Sequence, residues 1–245
     1  MRPAVMVPTY NEADNLPALA EALLALDVEL HLVVVDDASP DGTGRIADTL
    51  AEADERVHII HRTGPRGYSH ASREGLRWCL DAGFDPICTM DADLSHDPDV
   101  VVQLLTTVES GADVAIGSRY VEGGALAVDW GPVRRAVSKL GSAYARFMVG
   151  TPVRDCTSGF RCYRADVLSR IPFEEIPSGG YSFLIELLAE LVARDAKIVE
   201  VPITYVDRRA GSSKISRSII LEALVRTTAL GIRRFTGRRR PAEHA

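Results

Sequence analysis

"LHLVVVDDASPDGTGRIADTLAEA", residues 30–53, joins three kinds of segment in succession. Residues 30–37 are a Val-rich run with the length of a buried strand, and it ends on two aspartates. Residues 39–42 are turn chemistry, with Asp41 placed to cap the next helix. Over 42–53 apolar residues recur at helical spacing. Strand, polar turn and helix together predict one unit of a layered sheet.

The same unit recurs through the first half. "AVMVPT" (4–9), "VHIIHR" (57–62), "PICTMDAD" (86–93) and "DVAIGSR" (113–119) read as further strands. Residues 12–26, 70–82 and 98–109 carry helical spacing, as in Leu16, Leu19, Ala20, Leu23 and Leu24. Strands alternating with helices predict an α/β fold, a mostly parallel central sheet with helices on both faces. Ligands of such sheets sit beyond the carboxyl ends of the strands. Each early strand ends in a polar cluster, "PTYNE", "DDASPDGT", "HRTG", "DADLSH" and "GSRY", and the five are predicted to face one crevice. The second half predicts helices over 131–150, 181–196 and 216–235 and a strand over 197–206.

With 245 residues, 46% of them hydrophobic, the chain can bury one substantial core, which favours a single domain. No run approaches the roughly 18 apolar residues of a membrane span, and the N-terminus lacks the pattern of a signal peptide, so a cytoplasmic location is expected. Four cysteines without C-x-x-C spacing predict buried, reduced thiols. The net charge of −6 is unevenly divided, with +5 over residues 216–245 and −11 over the rest. A basic end suggests an anionic surface as partner, and the acidic body argues against nucleic acid. Neither a dinucleotide fingerprint nor a P-loop is present.

In "CTMDADLSHDP", residues 88–98, two readings compete. Asp91 and Asp93 at a strand end can serve one hard divalent cation or a sugar-nucleotide donor, or they merely close the strand. Asp97 reads as a helix cap, since Pro98 follows at the first helical position. Thr9 or Asn11 is a possible cap of the first helix. Tyr10 and Glu12 suit a nucleoside, as does Asp37.

"PTYNE", "VVVDDASPDGT", "MDADLSHDP", "GSRY", "DCTSGFRCY", "GGYSFLIEL" and "VEVPITYVDRRAGSSKI" occur in an order that resembles the inverting family 2 glycosyltransferases of the GT-A fold. Within these the chain looks most like the polyprenyl-phosphate (dolichyl-phosphate) mannose synthases, from about residue 3 to about 235. The resemblance implies a single GT-A catalytic domain over 1–215, an amphipathic helix over 216–235 and a basic, disordered tail over 236–245. It implies transfer of mannose from GDP-mannose to a polyprenyl phosphate, with Mg²⁺ or Mn²⁺ as cofactor. Pro8, Tyr10, Glu12, Asp37 and the stretch Asp91, Ala92, Asp93 match donor positions. Asp91 and Asp93 match the metal ligands. Arg119, Arg134, Ser138, Arg208 and Lys214 match positions associated with the acceptor phosphate, and Arg119 joins the two aspartates as catalytic.

Two departures stand out. Ser95 replaces the glutamine that often completes the metal shell, leaving a weak ligand or a water. The loop that usually reads G-L-G-T-A-Y-x-x-G is here "GYSHASREG" (67–75), without the middle glycine and the tyrosine, which reopens the choice of sugar or base. Glu186 falls where relatives with hydroxyl acceptors carry a catalytic carboxylate. A phosphate acceptor, with a second pKa of about 6, needs no strong base, so a supporting role is expected of it.

The C-terminal helix reads equally as a membrane-surface element on the cytoplasmic face, with "RRFTGRRR" on anionic headgroups, or as an ordinary packed helix with a solvated basic end. A separate membrane-anchoring protein is a further partner to consider. The rival functions are the same fold using another sugar nucleotide or a soluble acceptor, and a non-catalytic sugar-nucleotide-binding subunit.

Overall fold

The computed structural model of the chain describes residues 1–127, 131–178, 180, 182–206 and 217–236, and the side chains of 132–134 and 217–220 lie outside that description. The alternating units form close to where their apolar runs place them. They are β1 (Ala4–Thr9), α1 (Leu16–Leu24), β2 (His31–Asp36), α2 (Thr43–Ala53), β3 (Val57–His61), α3 (Tyr68–Asp81), β4 (Ile87–Thr89), α4 (Val100–Glu109) and β5 (Val114–Ser118). Next in the chain come β6 (Ala125–Ala127), α5 (Pro132–Val149), β7 (Arg161–Tyr163), α6 (Ala165–Leu168), a 3₁₀ turn (Phe173–Glu175), α7 (Ser182–Ala193), β8 (Ile198–Pro202), β9 (Thr204–Val206) and α8 (Arg217–Phe235).

The main sheet has the order β3-β2-β1-β4-β7-β5-β8. Every neighbouring pair is parallel except those made by β7, which runs antiparallel between β4 and β5. The carboxyl ends of β1 to β5 therefore share one edge, as the polar clusters predict. Both faces are buried, which is why the strands read as continuous apolar runs. Along β1, Ala4 and Met6 enter one core with Leu76 of α3 and Phe183 and Leu187 of α7. Val5 and Val7 enter the other, with Leu19 of α1 and Leu104 of α4. Gly75 lets α3 lie close, since a Cβ there would stand 2.7 Å from Val35 Cγ2 and 2.8 Å from Met6 Cγ.

Three local readings change. β7 is hidden in the sequence because "RCY" puts an arginine at the centre of the sheet. Arg161 is fully buried and donates to the carbonyls of Ser158 (2.7 Å), Cys156 (2.9 Å) and Leu184 (3.0 Å), which gives the charge a polar cage. The strand expected over 197–206 breaks at Ile203, and β9 leaves the main sheet to pair with β6. α1 starts at Leu16, and neither Thr9 nor Asn11 caps it. Thr9 Oγ1 donates to Asp36 Oδ1 (3.2 Å), and the Asn11 N–H donates to Ser39 Oγ (3.1 Å).

α8 packs on the domain along one side. Thr227 is buried, Leu230 meets the core, Tyr144 and Thr228 share a 2.6 Å hydrogen bond, and Arg234 Nη1 donates to the Phe147 carbonyl at 3.1 Å. Its other side leaves Leu221, Val225, Ile232 and Phe235 exposed, beside exposed Val137, Leu140 and Phe147 of α5. Among the described residues no helix is long and apolar enough to cross a membrane. The four cysteines are buried, and burial pushes the thiols of Cys79 and Cys156 up to about 12.

At the edge of the sheet away from the crevice, His31 Nδ1 and His58 Nε2 are 3.0 Å apart, beside Phe84 and Trp78, with Arg2 over the Phe84 ring. Burial lowers both histidine pKa values from 6.5. The positive charge of Arg2 adds to this at both, and Arg56 adds to it at His31 against the opposing pull of Glu29 and Asp54. The unfolded chain then takes up protons that the folded chain refuses, so stability is lost as pH falls through 6.5. His58→Phe is expected to flatten that fall in denaturant unfolding. An unchanged pH slope in the variant would exclude the pair as its source.

Candidate active site

The loops that leave the parallel strands are tied to one another by side chains. Asp41 accepts the N–H groups of Ala13 (3.1 Å) and Thr43 (3.0 Å), and Thr43 Oγ1 accepts the Glu12 N–H at 2.9 Å. Gly42, in a left-handed conformation, is the residue before α2, so Asp41 supports the helix from one position further out. Asn11, Ala38 and Leu94, at φ of 56°, 55° and 58°, occupy the left-handed region in the loops after β1, β2 and β4. Such backbone costs of order 1–3 kcal/mol per residue and persists where surrounding bonds hold it, as at functional loops.

Pro8 lies in β1, with Tyr10 and Glu12 just beyond it and both partly exposed. The Arg66 guanidinium lies 5.1 Å from the Tyr10 ring centre and donates to Tyr10 OH (3.2 Å) and the Ala38 carbonyl (3.1 Å). Asn15 Nδ2 donates to Glu12 Oε2 at 2.8 Å. Asp37 is buried, with one oxygen ion-paired to Arg62 and the other accepting the Gly67 N–H at 2.7 Å. Its carboxylate thus anchors the loop between β3 and α3.

Asp91, Ala92 and Asp93 follow β4 directly. Asp93 Oδ1 accepts both the N–H (3.1 Å) and the hydroxyl (2.6 Å) of Ser95, which is fully buried. Ser95 therefore orients Asp93. Asp91 Oδ1 and Tyr68 OH meet over Gly159, where a Cβ would stand 3.6 Å from the first and 3.0 Å from the second. α4 starts at Val100 with Asp99 in the cap position, so Asp97 does not cap it as its sequence predicts; Asp97 Oδ1 instead accepts the Asp99 N–H at 3.0 Å and holds the turn that leads into the helix. His96 is buried, stacked on Phe160 and edge-on to Tyr205, and burial lowers its pKa to about 4.

Arg119 follows β5. Its Nε and N–H donate to Asp155 Oδ2 (2.7 and 3.0 Å), and its Nη2 donates to Asp155 Oδ1 (2.7 Å) and Thr157 Oγ1 (2.8 Å). The rings of Tyr120 and Tyr205 lie 5.2 and 5.5 Å from the guanidinium. Burial alone would raise the Asp155 pKa and lower that of Arg119. The bonds and charge of the pair outweigh this, holding the carboxyl below its ordinary range and the guanidinium above. Glu200 of β8 accepts the N–H groups of Arg154 (2.8 Å) and Asp155 (2.9 Å), which fixes the loop carrying Asp155. Ser138 of α5 shares a 2.7 Å hydrogen bond with Tyr120, so Arg119 and Ser138 belong to one neighbourhood. The Arg134 side chain, Arg208 and Lys214 lie outside the described residues.

Asp155, Thr157, Tyr205, His96 and Tyr68 carry no assignment from sequence reasoning. A signal for Asp155 is nonetheless visible, because a lone carboxylate between buried Val153 and Cys156 implies a buried cation as partner.

A mostly parallel sheet with Asp-X-Asp at the end of β4 and arginine at the end of β5 defines a glycosyltransferase of the GT-A fold. A family model described as Glycosyl transferase family 2 matches residues 4–171, and the chain belongs to that family. It is 44% identical over 233 residues to the polyprenol monophosphomannose synthase of Mycolicibacterium smegmatis, across 95% of this chain and 88% of that protein. It is 44% identical over 232 residues to the undecaprenyl-phosphate mannosyltransferase of Micrococcus luteus, across 95% of each. Glucosyl-3-phosphoglycerate synthase from Mycobacterium tuberculosis, solved with Mn²⁺, UDP and glucosyl-3-phosphoglycerate, superposes with a TM-score of 0.66. It shares 22% identity over 92% of this chain and 80% of its own, a likeness of fold.

Proposed function

We propose that this enzyme transfers mannose from GDP-mannose to a polyprenyl phosphate with inversion at the anomeric carbon. The observation that carries the reading is 44% identity, over 95% of the chain, to relatives named for mannosyl transfer to polyprenol and undecaprenyl phosphate. Pro8, Tyr10 and Glu12 would hold the nucleoside, and Asp37 would serve it by fixing the loop through Arg62 and Gly67. Asp91 and Asp93 are hard oxygen ligands suited to Mg²⁺ or Mn²⁺. Among the described residues no set of three His, Cys, Asp or Glu side chains could hold a metal alone. Two carboxylates completed by substrate phosphate oxygens match the usual habit of Mg²⁺. When bound there, the cation would supply Lewis-acid neutralisation of the departing diphosphate.

Arg119 presents its Nη1 edge to the acceptor phosphate while Asp155 holds the rest of the guanidinium. Ser138 supports it through Tyr120, and Arg134, Arg208 and Lys214 would add charge. The acceptor oxygen is already ionised near neutral pH, so positioning replaces proton abstraction. Glu186, on α7 and buried, is then a supporting group. A general base would contribute about 10²–10⁴-fold, whereas Glu186→Gln is expected to keep turnover within about tenfold of wild type. Lost turnover with intact donor binding would return Glu186 to the chemistry.

The test of the function is release of nucleoside diphosphate from a panel of sugar nucleotides, with Mg²⁺ or Mn²⁺, with and without polyprenyl phosphate. Release requiring both GDP-mannose and the lipid supports the reading. Release to a soluble alcohol alone overturns it. A lipid acceptor also gives the exposed apolar side of α8 and the basic tail a common purpose, peripheral binding on the cytoplasmic face of a membrane, alone or with a separate anchoring protein. Deleting 237–245 leaves α8 whole and removes three arginines, so pelleting with anionic liposomes at low salt is expected to weaken. Unchanged pelleting removes the tail from this role.

A further inference from the structure

Where α3 meets the segment leading into α7, four buried polar atoms have no hydrogen-bond partner among the described residues: Ser69 Oγ, Ser72 Oγ, Arg73 Nε and Ser178 Oγ. The serines are 0%, 3% and 0% exposed, so bulk water does not satisfy them. A buried hydroxyl left without a partner is destabilising, and such groups in folded proteins normally await a water or a ligand.

Ser69, Ser72 and Arg73 are spaced i, i+3 and i+4 on α3, which places them on one face. Arg73 Nη2 on that face donates to the carbonyls of Ile176 and Ser178, both at 2.5 Å, which brings Ser178 to the same place. Immediately before Ser69, Tyr68 sends its OH to within 3.0 Å of where a Cβ on Gly159 would stand, and Asp91 Oδ1 lies 3.6 Å from the same point. The first residue of α3 thus borders the same glycine as the carboxylate assigned to the donor diphosphate, which puts the start of α3 on the donor side of the fold. Ser69 and Ser72 also stand where the family pattern has its middle glycine and its tyrosine.

We propose that Ser69, Ser72 and Ser178, with Arg73 Nε, form the subsite that reads the hydroxyls of the transferred sugar. This rests on the sugar-nucleotide reading above. A serine hydroxyl both donates and accepts, as does each hydroxyl of a hexose, so the set is matched to a neutral polyol. A diphosphate would instead draw backbone N–H groups and free cations.

The test compares a sugar nucleotide with its own nucleoside diphosphate, in Ser69→Ala and Ser178→Ala. Affinity for GDP-mannose is expected to fall by about three- to tenfold in each variant. Affinity for GDP stays at the wild-type value, and the melting temperature without ligand is unchanged or higher. Equal losses for GDP and GDP-mannose would overturn the assignment, and so would no loss for either, which would leave the hydroxyls to buried water. If the wild type prefers UDP-glucose, the mannose reading fails. The subsite is still judged, because the same comparison is then made between UDP-glucose and UDP.

Discussion

Asp91→Ala is expected to lower turnover by about a thousandfold, close to 4 kcal/mol of lost transition-state stabilisation. In the proposed reaction, departure of a nucleoside diphosphate would concentrate negative charge at the end of β4, beside the carboxylates of Asp91 and Asp93. On the proposed reading those carboxylates would assist by holding a divalent cation, and removing one of the two ligands would leave the leaving group uncompensated. Asp91 is partly exposed, while Asp93 is buried and held by Ser95, so the Asp91 variant separates chemistry from folding. Its unfolding midpoint should match wild type, and the stabilisation that GDP-mannose gives in the presence of Mn²⁺ should be lost. Wild-type turnover in a correctly folded variant would remove Asp91 from the reaction.

Asp155→Ala should carry the largest stability penalty of any single change near the site. Asp155 is fully buried and accepts three hydrogen bonds from Arg119, whose side chain is 11% exposed. Removing one partner of such a pair strands the other charge, a loss of about 3–5 kcal/mol. Arg119→Met combined with Asp155→Leu is expected to recover much of that stability, since a buried pair is often replaceable by apolar groups of similar volume. Turnover should stay low in the double variant, because the guanidinium proposed to hold the acceptor phosphate is gone. Denaturant unfolding of the single and double variants decides the point, and a single variant as stable as wild type would show that the pair does not hold the loop. Acid acts on the same contact. The depressed Asp155 pKa means its contribution is present above about 3.8, the ordinary value, and is lost as pH falls through the folded one.

The site was unevenly legible. Asp91 and Asp93 stand out because two carboxylates at a strand end lack an ordinary structural use. Asp97 reads as the cap of α4, but the helix starts two residues later and Asp97 holds only the turn before it. Asp37 reads in the sequence as a nucleoside-binding carboxylate at a strand end, and its anchoring role needs Arg62 and Gly67 brought to it by β3 and α3. Asp155 has no role legible in the sequence, since its partner Arg119 lies 36 residues earlier with β6 and α5 between them. Ser69 and Ser72 read only as replacements of a glycine and a tyrosine in the family's loop pattern, and that their hydroxyls lack partners is a property of packing.

By itself the sequence determined the layered α/β architecture, the parallel direction of the first strands, the edge at which their polar clusters gather and the aspartate pair at that edge. Each follows from periodicity, run length or turn chemistry, which act over a few residues. Only the tertiary structure decided that β7 enters the sheet antiparallel around a caged Arg161 and that Arg119 is clamped by Asp155. It likewise decided that Ser95 orients Asp93 and that α3 meets the approach to α7 with unpartnered hydroxyls. Those outcomes depend on which distant groups become neighbours once water is excluded, because desolvation makes every buried charge and hydroxyl find a specific partner or await one.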